Sequence, residues 1–304
     1  MIDVNRLRVL QAVSRHGSLA RAAAALHVTT SAVSQQIAAL ERSAGLPLVE
    51  RSSRGTRLTE PGRVLVETAA VVEAELRGAT HHLERLSRGE VGRFGVATFA
   101  SAGQRLLPGP LASVMGAFPG VEVSVEHGEP EQVLPLLASG DADLALVYRF
   151  TPAPEKDTVG RWTPLCADPV HAVLPAAHPL ADRTEVELAA LAGERWIQGT
   201  GIVNDMLVQH AAAAGFVPRA TCESTDYVLM YRLVAAGAGV ALIPDLALPA
   251  EPSDGAVVVP LTAPRPVRHV YAVTPRHAWP NPVVTTLVTQ LRKAAGQAVP
   301  HSSG

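Results

Sequence analysis

From Thr59 onward an apolar residue returns every seven positions. Leu65, Val72, Ala79 and Leu86 mark one row, and Ala69, Leu76 and Leu83 sit four further on each time. That is an a/d seam held over three to four heptads. Thr59 is suited to cap the helix, and Pro61 falls in its first turn, where a missing N–H costs nothing. The spacing predicts one continuous helix of about 28 residues, roughly 42 Å long. Such a helix divides the chain into a short head and a long body. Its stripe could dock on the body, but a single narrow stripe on so long a helix favours a two-stranded coiled coil, which would make the chain a homodimer.

The head reads as three short helices. Asp3 caps the first, Val4, Leu7, Leu10 and Val13 form its buried stripe, and Gly17 stops it. Ser18 caps an alanine-rich second helix, whose small side chains let a neighbour approach closely. Thr29 or Thr30 caps the third, which runs to about Ser43 before Gly45. Val33, Ile37 and Leu40 turn inward at i, i+4 and i+7, which leaves Ser31, Ser34 and Gln35 outside. These groups hydrogen-bond without carrying charge, and that chemistry suits base edges. The pattern predicts a helix-turn-helix with its third helix in the major groove of double-stranded DNA. A small bundle with a solvated polar face is the alternative on these residues alone. Downstream, Arg51, Arg54 and Arg57 cluster around Gly55 in a turn-rich segment. A β-wing there could hold flanking phosphates; an exposed basic loop would look the same.

Charge agrees with a nucleic-acid-facing head. Residues 1–60 hold eight arginines against four carboxylates, whereas the whole chain is formally −2. Two cysteines, Cys166 and Cys222, give no disulfide framework and fit a reducing compartment. The charged N-terminus lacks the apolar core of a signal peptide, and no apolar run reaches spanning length, so a cytoplasmic protein without a membrane partner is expected.

From Gly92 the period changes to short apolar strands alternating with helices, among them "FGVATF", "VEVSVEH", "DLALVY", "HAVLP", "GVALIP" and "RHVYAVT". The body reads as α/β with mainly parallel sheets, long enough for two subdomains. Crossovers are expected at "RWTPL" and "TAPRPVRHV". The expected organisation is a DNA-binding head at 1–59, a dimerising helix at 60–89 and an effector domain at 90–297. In the last, subdomain I would take 92–161 and 266–296, and subdomain II 162–265.

The run "SLARAAAALHVTTSAVSQQIAALERSAGLPLVERSSRGTRLTEPG" carries the order and spacing of a known signature, and "LLPGPL", "ASGDADLAL", "VLPAAHPLA" and "VAAGAGVALIP" extend the match through the body. Over nearly its whole length the chain resembles the LysR-type transcriptional regulators. The resemblance implies a winged helix-turn-helix, a dimerising linker helix and an effector domain like periplasmic binding proteins. It also implies promoter DNA, RNA polymerase and a small-molecule co-inducer as partners, and a dimer or a tetramer. Thr30 and Ser31 stand where the family usually carries Gln followed by Pro or Ser. Thr30 cannot make a glutamine's two-point base contact, so the preferred half-site would differ there.

Ligands in open α/β sheets lie beyond the carboxyl ends of strands. Thr98 ends a strand and Ser101 starts the next helix; the resemblance makes that loop an effector contact, although plain capping is an equal reading. Glu129 follows another strand end, where it could instead be a first-turn acid. Arg149 could clamp a carboxylate or lie on the surface. Thr200, between two glycines, and Thr225, at a helix start, would face the same cleft by analogy. No aromatic cage stands out, which leans the effector toward a small carboxylate or polar metabolite.

The sequence offers no metal-ligand spacing, no G-x-S-x-G elbow and no Walker loop, so neither a metal, a cofactor nor an enzyme is expected. A solute-binding receptor would lack the basic head. A redox-sensing regulator of the same fold, using Cys166 and Cys222, is the remaining alternative.

Overall fold

The computed structural model describes residues 2–52, 55–87, 92–152, 160–250, 255–276 and 281–298. The chain divides into two compact units, one built on residues 1–90 and one on the bulk of the chain beyond.

The first unit holds helices α1 (Val4–His16), α2 (Leu19–Ala25) and α3 (Thr30–Ala44), strands β1 (Val49–Ser52) and β2 (Gly55–Leu58), and helix α4 (Glu60–Ser87). The caps follow the sequence: Asp3 accepts from the Asn5 and Arg6 amides, Ser18 from Arg21 and Thr29 from Ala32. Gly17 and Gly45 end α1 and α3 in the left-handed region. Leu10, Ala22, Val33, Ile37 and Leu40 are buried together in one small core. The two strands form an antiparallel hairpin. The start of β2 is tied to the α1–α2 corner by the Thr56 amide, which donates to the Gly17 carbonyl at 3.0 Å. Gly55 has φ +123°, and a Cβ there would lie 2.8 Å from the same carbonyl, so both backbone conformation and space require glycine.

The second unit is α/β. Its elements are β3 (Arg93–Thr98), α5 (Ala100–Arg105), α6 (Pro108–Ala117), β4 (Glu122–His127), α7 (Pro130–Ser139), β5 (Leu144–Arg149), β6 (Arg161–Pro175), β7 (Arg195–Gln198), α8 (Ile202–Ala213), β8 (Arg219–Glu223), α9 (Tyr227–Ala235), β9 (Ala241–Pro244), β10 (Ala256–Pro260), β11 (Val267–Thr274) and α10 (Pro282–Ala298). The main sheet runs β10-β6-β11-β5-β3-β4, with β9 also on β6, and β7 and β8 form a separate pair. A Trp196–Val240 bridge joins that pair to the chain leading into β9.

The expectation of mainly parallel sheets is corrected. β3 runs parallel to β4 and β5, and β7 to β8. β11 is antiparallel to both β5 and β6, and β6 to both β9 and β10. A strand buried on both faces reads as a continuous apolar run whichever way its neighbour points. The proline-marked crossover "RWTPL" and the strand "HAVLP" are one 15-residue strand, β6. Its first half pairs with β11 and its second half with β9 and β10, so β6 passes from one subdomain into the other. β11 and α10 return to the first subdomain, where Val283, Leu287 and Leu291 pack with Phe94, Leu107 and Val114. The second subdomain closes around Trp196, Met206, Leu207 and Leu242. Among the described residues, no helix is long and apolar enough to cross a membrane.

Candidate functional site

In the head, Thr30, Ser31 and Gln35 are exposed and Ser34 is half-buried, while Val33 and Ile37 beneath them are buried. The Ser31 hydroxyl shares a 2.9 Å hydrogen bond with Thr29, which orients it at the start of the helix. The wing is fixed to this surface by a residue that the sequence reading passed over. Glu41 Oε1, on α3, accepts from the Leu48 amide at 2.9 Å and from Val49 at 3.4 Å. Thr59 donates to the Pro47 carbonyl at 2.7 Å and accepts from the Gly62 amide, so one hydroxyl pins the wing's entry and caps α4. A Cβ at Gly62 would lie 2.1 Å from the Leu48 carbonyl. The motif "LTEPG" is therefore the joint between wing and linker helix. Arg57 is exposed on β2. Arg54 lies outside the described residues, and so does the side chain of Arg51.

Along α4 the predicted seam divides into two parts. Leu65 and Ala69 pack into the head's own core, Ala69 being 1% exposed. Val72 is half-buried and Ala79 exposed, while Leu76 and Leu83 are 46% and 65% exposed. The side chain of Leu86 lies outside the described residues. Arg8 of α1 bonds Glu73 at 2.9 Å, so the head grips the first half of the helix.

In the body, the crossover strands meet at a buried ion pair. Arg268 on β11 stands opposite Asp168 on β6 in register, and they are 1% and 0% exposed. Arg268 Nε and Nη2 donate to Asp168 Oδ2 at 2.9 and 2.6 Å. Asp168 Oδ1 accepts from the Leu246 amide at 3.0 Å. Arg268 Nη2 also donates to Ser101 Oγ at 3.0 Å. Phe99, Tyr148 and Tyr227 surround the guanidinium, with its carbon 5.2, 4.7 and 5.7 Å from the ring centres. The Tyr148 hydroxyl donates to Glu129 Oε2 at 2.6 Å.

Burial alone would lower the arginine pKa, but Asp168 and the two phenols more than offset that, and the net shift is upward. The guanidinium stays charged. Burial raises the Tyr148 pKa, with Tyr227 and Glu129 adding to it. Burial likewise pushes Tyr227 up to about 12, against the opposing pull of Arg268. At neutral pH both phenols are therefore protonated.

This nest joins Ser101 and Glu129 from the first subdomain to Tyr227 from the second, across both crossover strands. It also alters the reading of the predicted contacts. The Ser101 hydroxyl is engaged by Arg268, and the buried Thr98 hydroxyl donates to the Phe99 carbonyl at 3.1 Å. The absence of an aromatic cage is corrected: three rings converge from β5, α9 and the start of α5. They were hidden because residues 99, 148 and 227 share no motif.

Thr200 is exposed in the β7–α8 loop. A Cβ on its neighbour Gly201 would lie 4.0 Å from Glu131 Oε1, so this loop faces the first turn of α7. Thr225 is exposed, while Asp226 beside it caps α9 through the Val228 and Leu229 amides. Arg149 does not join the nest and lies over the Trp162 ring at 5.8 Å.

The thiols occupy different places. Cys166, on β6, packs at the edge of the first subdomain's core, and Cys222, on β8, against a cluster containing Val173 and Ile197. Burial, reinforced by the Asp168 charge, pushes the Cys166 thiol up to about 12.

Comparison with known proteins agrees with both units. Residues 4–63 match the bacterial regulatory helix-turn-helix protein model of the lysR family, and residues 87–296 match the LysR substrate-binding domain. The DNA-binding transcriptional dual regulator OxyR of Escherichia coli K12 is 30% identical over 275 residues, covering 88% of each chain. A cysteine mutant of Corynebacterium glutamicum OxyR has a similar fold, with TM-score 0.59 and 22% identity, covering 98% of this chain and 93% of that one. So does full-length CbnR complexed with its target DNA, with TM-score 0.53 and 24% identity, covering 97% and 100%. With both units matched in order along one chain, the protein belongs to the LysR family of bacterial transcriptional regulators.

Proposed function

We propose that this regulator binds promoter DNA as a homodimer or a dimer of dimers, and that a small-molecule co-inducer held between its two α/β subdomains resets those contacts for RNA polymerase. The observation that carries the reading is the Arg268–Asp168 pair. It sits where both crossover strands pass between subdomains, and α5 touches it from one side and α9 from the other. A ligand acts only by binding two arrangements unequally. A buried nest shared by both subdomains responds to any change in their spacing. Thr200, in the loop facing α7, and Glu129 border the opposite mouth of that cleft in this account. Thr225 and Arg149 stand further from the nest in this account, and Thr98 and Ser101 act through the nest itself.

The E. coli relative belongs with proteins named hydrogen peroxide-inducible genes activators. For this chain the half-buried Cys166 thiol, beside the Asp168 charge, favours a bound ligand over redox chemistry at that residue. A thiol with a pKa near 12 holds almost no thiolate at neutral pH, and the thiolate is the reactive form. The test is a thermal-shift screen of metabolites on the full chain, followed by footprinting of DNA from upstream of its gene. A metabolite that both stabilises the protein and alters the footprint supports the reading. Stabilisation by none, with an unalterable footprint, contradicts it.

A further inference from the structure

Beside the nest, one helical turn further along both α5 and α9, lies a groove of about 780 Å³. That volume suits a small organic molecule. Tyr231, Leu246 and Leu248 give it an apolar lining, and Gln104, Arg105 and Arg232 supply polar groups. Among the described residues, no acidic side chain lines it. Both arginines are exposed, and they come from opposite subdomains, Arg105 from α5 and Arg232 from α9. The only hydrogen bond shown for Arg105 among the described residues is a long one to the Leu248 carbonyl, at 3.4 Å.

The nest cannot offer a carboxylate the same welcome. Arg268 already spends its charge on Asp168, and Glu129 adds a negative charge nearby. In the groove, two positive groups flank an apolar wall, with no carboxylate between them among the described residues.

We propose that this α5–α9 groove is the effector pocket, and that it takes an amphipathic carboxylate, with an apolar body against Tyr231, Leu246 and Leu248 and a carboxylate between Arg105 and Arg232. The proposal rests on the reading of the chain as an effector-controlled regulator, and it names the site and the ligand class. Leu246 supplies the coupling. Its side chain lines the groove, while its amide holds Asp168 Oδ1. A ligand seated against Leu246 therefore presses on the residue that anchors the ion pair between the subdomains.

The experiment is a calorimetric titration of full-length protein with 2-naphthoate, and with neutral 2-naphthamide as its uncharged counterpart. Saturable binding of one naphthoate per chain is expected, with the amide weaker by about tenfold or more. Arg105→Gln and Arg232→Gln should each weaken naphthoate by about tenfold. Ala236→Phe, a filling substitution at an exposed lining position, should abolish binding, and Thr200→Ala should bind as the parent does. All four side chains are exposed, so the variants are expected to fold, and matching circular dichroism checks this. Equal affinity in both arginine variants overturns the proposal, as does the absence of saturable binding. Loss in Thr200→Ala with retention in Ala236→Phe overturns it in favour of the opposite mouth of the cleft. If the parent binds no naphthoate and Ala236→Phe lowers its oligomeric state in sedimentation, the groove is a subunit contact and the proposal falls. Footprinting with naphthoate tests the regulatory reading separately: binding that needs both arginines but leaves the footprint unchanged upholds the pocket and removes only its regulatory role.

Discussion

Arg268 occupies an apolar strand and is 1% exposed, and it is stable there because Asp168, Ser101 and three aromatic rings replace its water. Removing one partner leaves an uncompensated buried charge. Asp168→Ala should therefore cost about 3–5 kcal/mol in urea denaturation, and the paired change Asp168→Leu with Arg268→Met should recover most of it. Little of this was legible in the sequence. "VRHVYAVT" shows an arginine in a strand, but its partner lies 100 residues earlier, and only the register of β6 against β11 joins them. Cys166 and Tyr227 supply a second expectation at this scale. Both hold their protons more tightly folded than unfolded, so the stability they contribute is present below the ordinary thiol value of 9.0 and is lost as pH rises toward about 12. Thermal stability should fall across that window, and less steeply in Cys166→Ala. At pH 7.5, Cys166 should react with a disulfide reagent far more slowly than a free thiol.

The helices of the head were almost fully legible, because caps and periodicity act within a few residues. Asp3, Ser18, Thr29 and Thr59 all cap where their chemistry suggests. The role of Glu41 was not, because a glutamate on a helix looks solvated until Leu48 and Val49 are folded back onto it. On α3, Gln35 is exposed above buried Ile37. Gln35→Ala should relax preference at one base pair, at a cost of about 1–3 kcal/mol on the specific site alone. Arg57→Ala on the wing should weaken binding to every sequence and reduce the salt slope by about one unit. Competition titrations on specific and random DNA at several salt concentrations separate the two. The linker helix shows how far a heptad pattern reaches. It announced one long helix, which is described over Glu60–Ser87, but it did not distinguish Leu65 and Ala69, which the head covers, from Leu76 and Leu83, which stand exposed. The exposed pair is the proposed dimer contact. Leu76→Glu with Leu83→Glu should yield monomers in sedimentation, each burying leucine being worth about 1.5–3 kcal/mol.

At the scale of the molecule, the alternation of strands and helices announced an α/β body, whereas strand direction was not readable. Apolar strands look alike in parallel and antiparallel sheets, and the two crossover strands decide the topology. Those same strands place Asp168 and Arg268 at the passage between subdomains, so the feature that sequence reasoning missed in the fold is the one on which the functional account turns. The account holds that this regulator answers a bound molecule and not the oxidation of its thiols. The most direct measurement is a footprint of the full-length protein on its operator, for the parent and for Cys166→Ser with Cys222→Ser. Each is treated with hydrogen peroxide or with a metabolite that raises the melting temperature. The account predicts that the metabolite alters both footprints alike and that peroxide alters neither. A peroxide-induced change in the parent that disappears in the double-serine protein would contradict it.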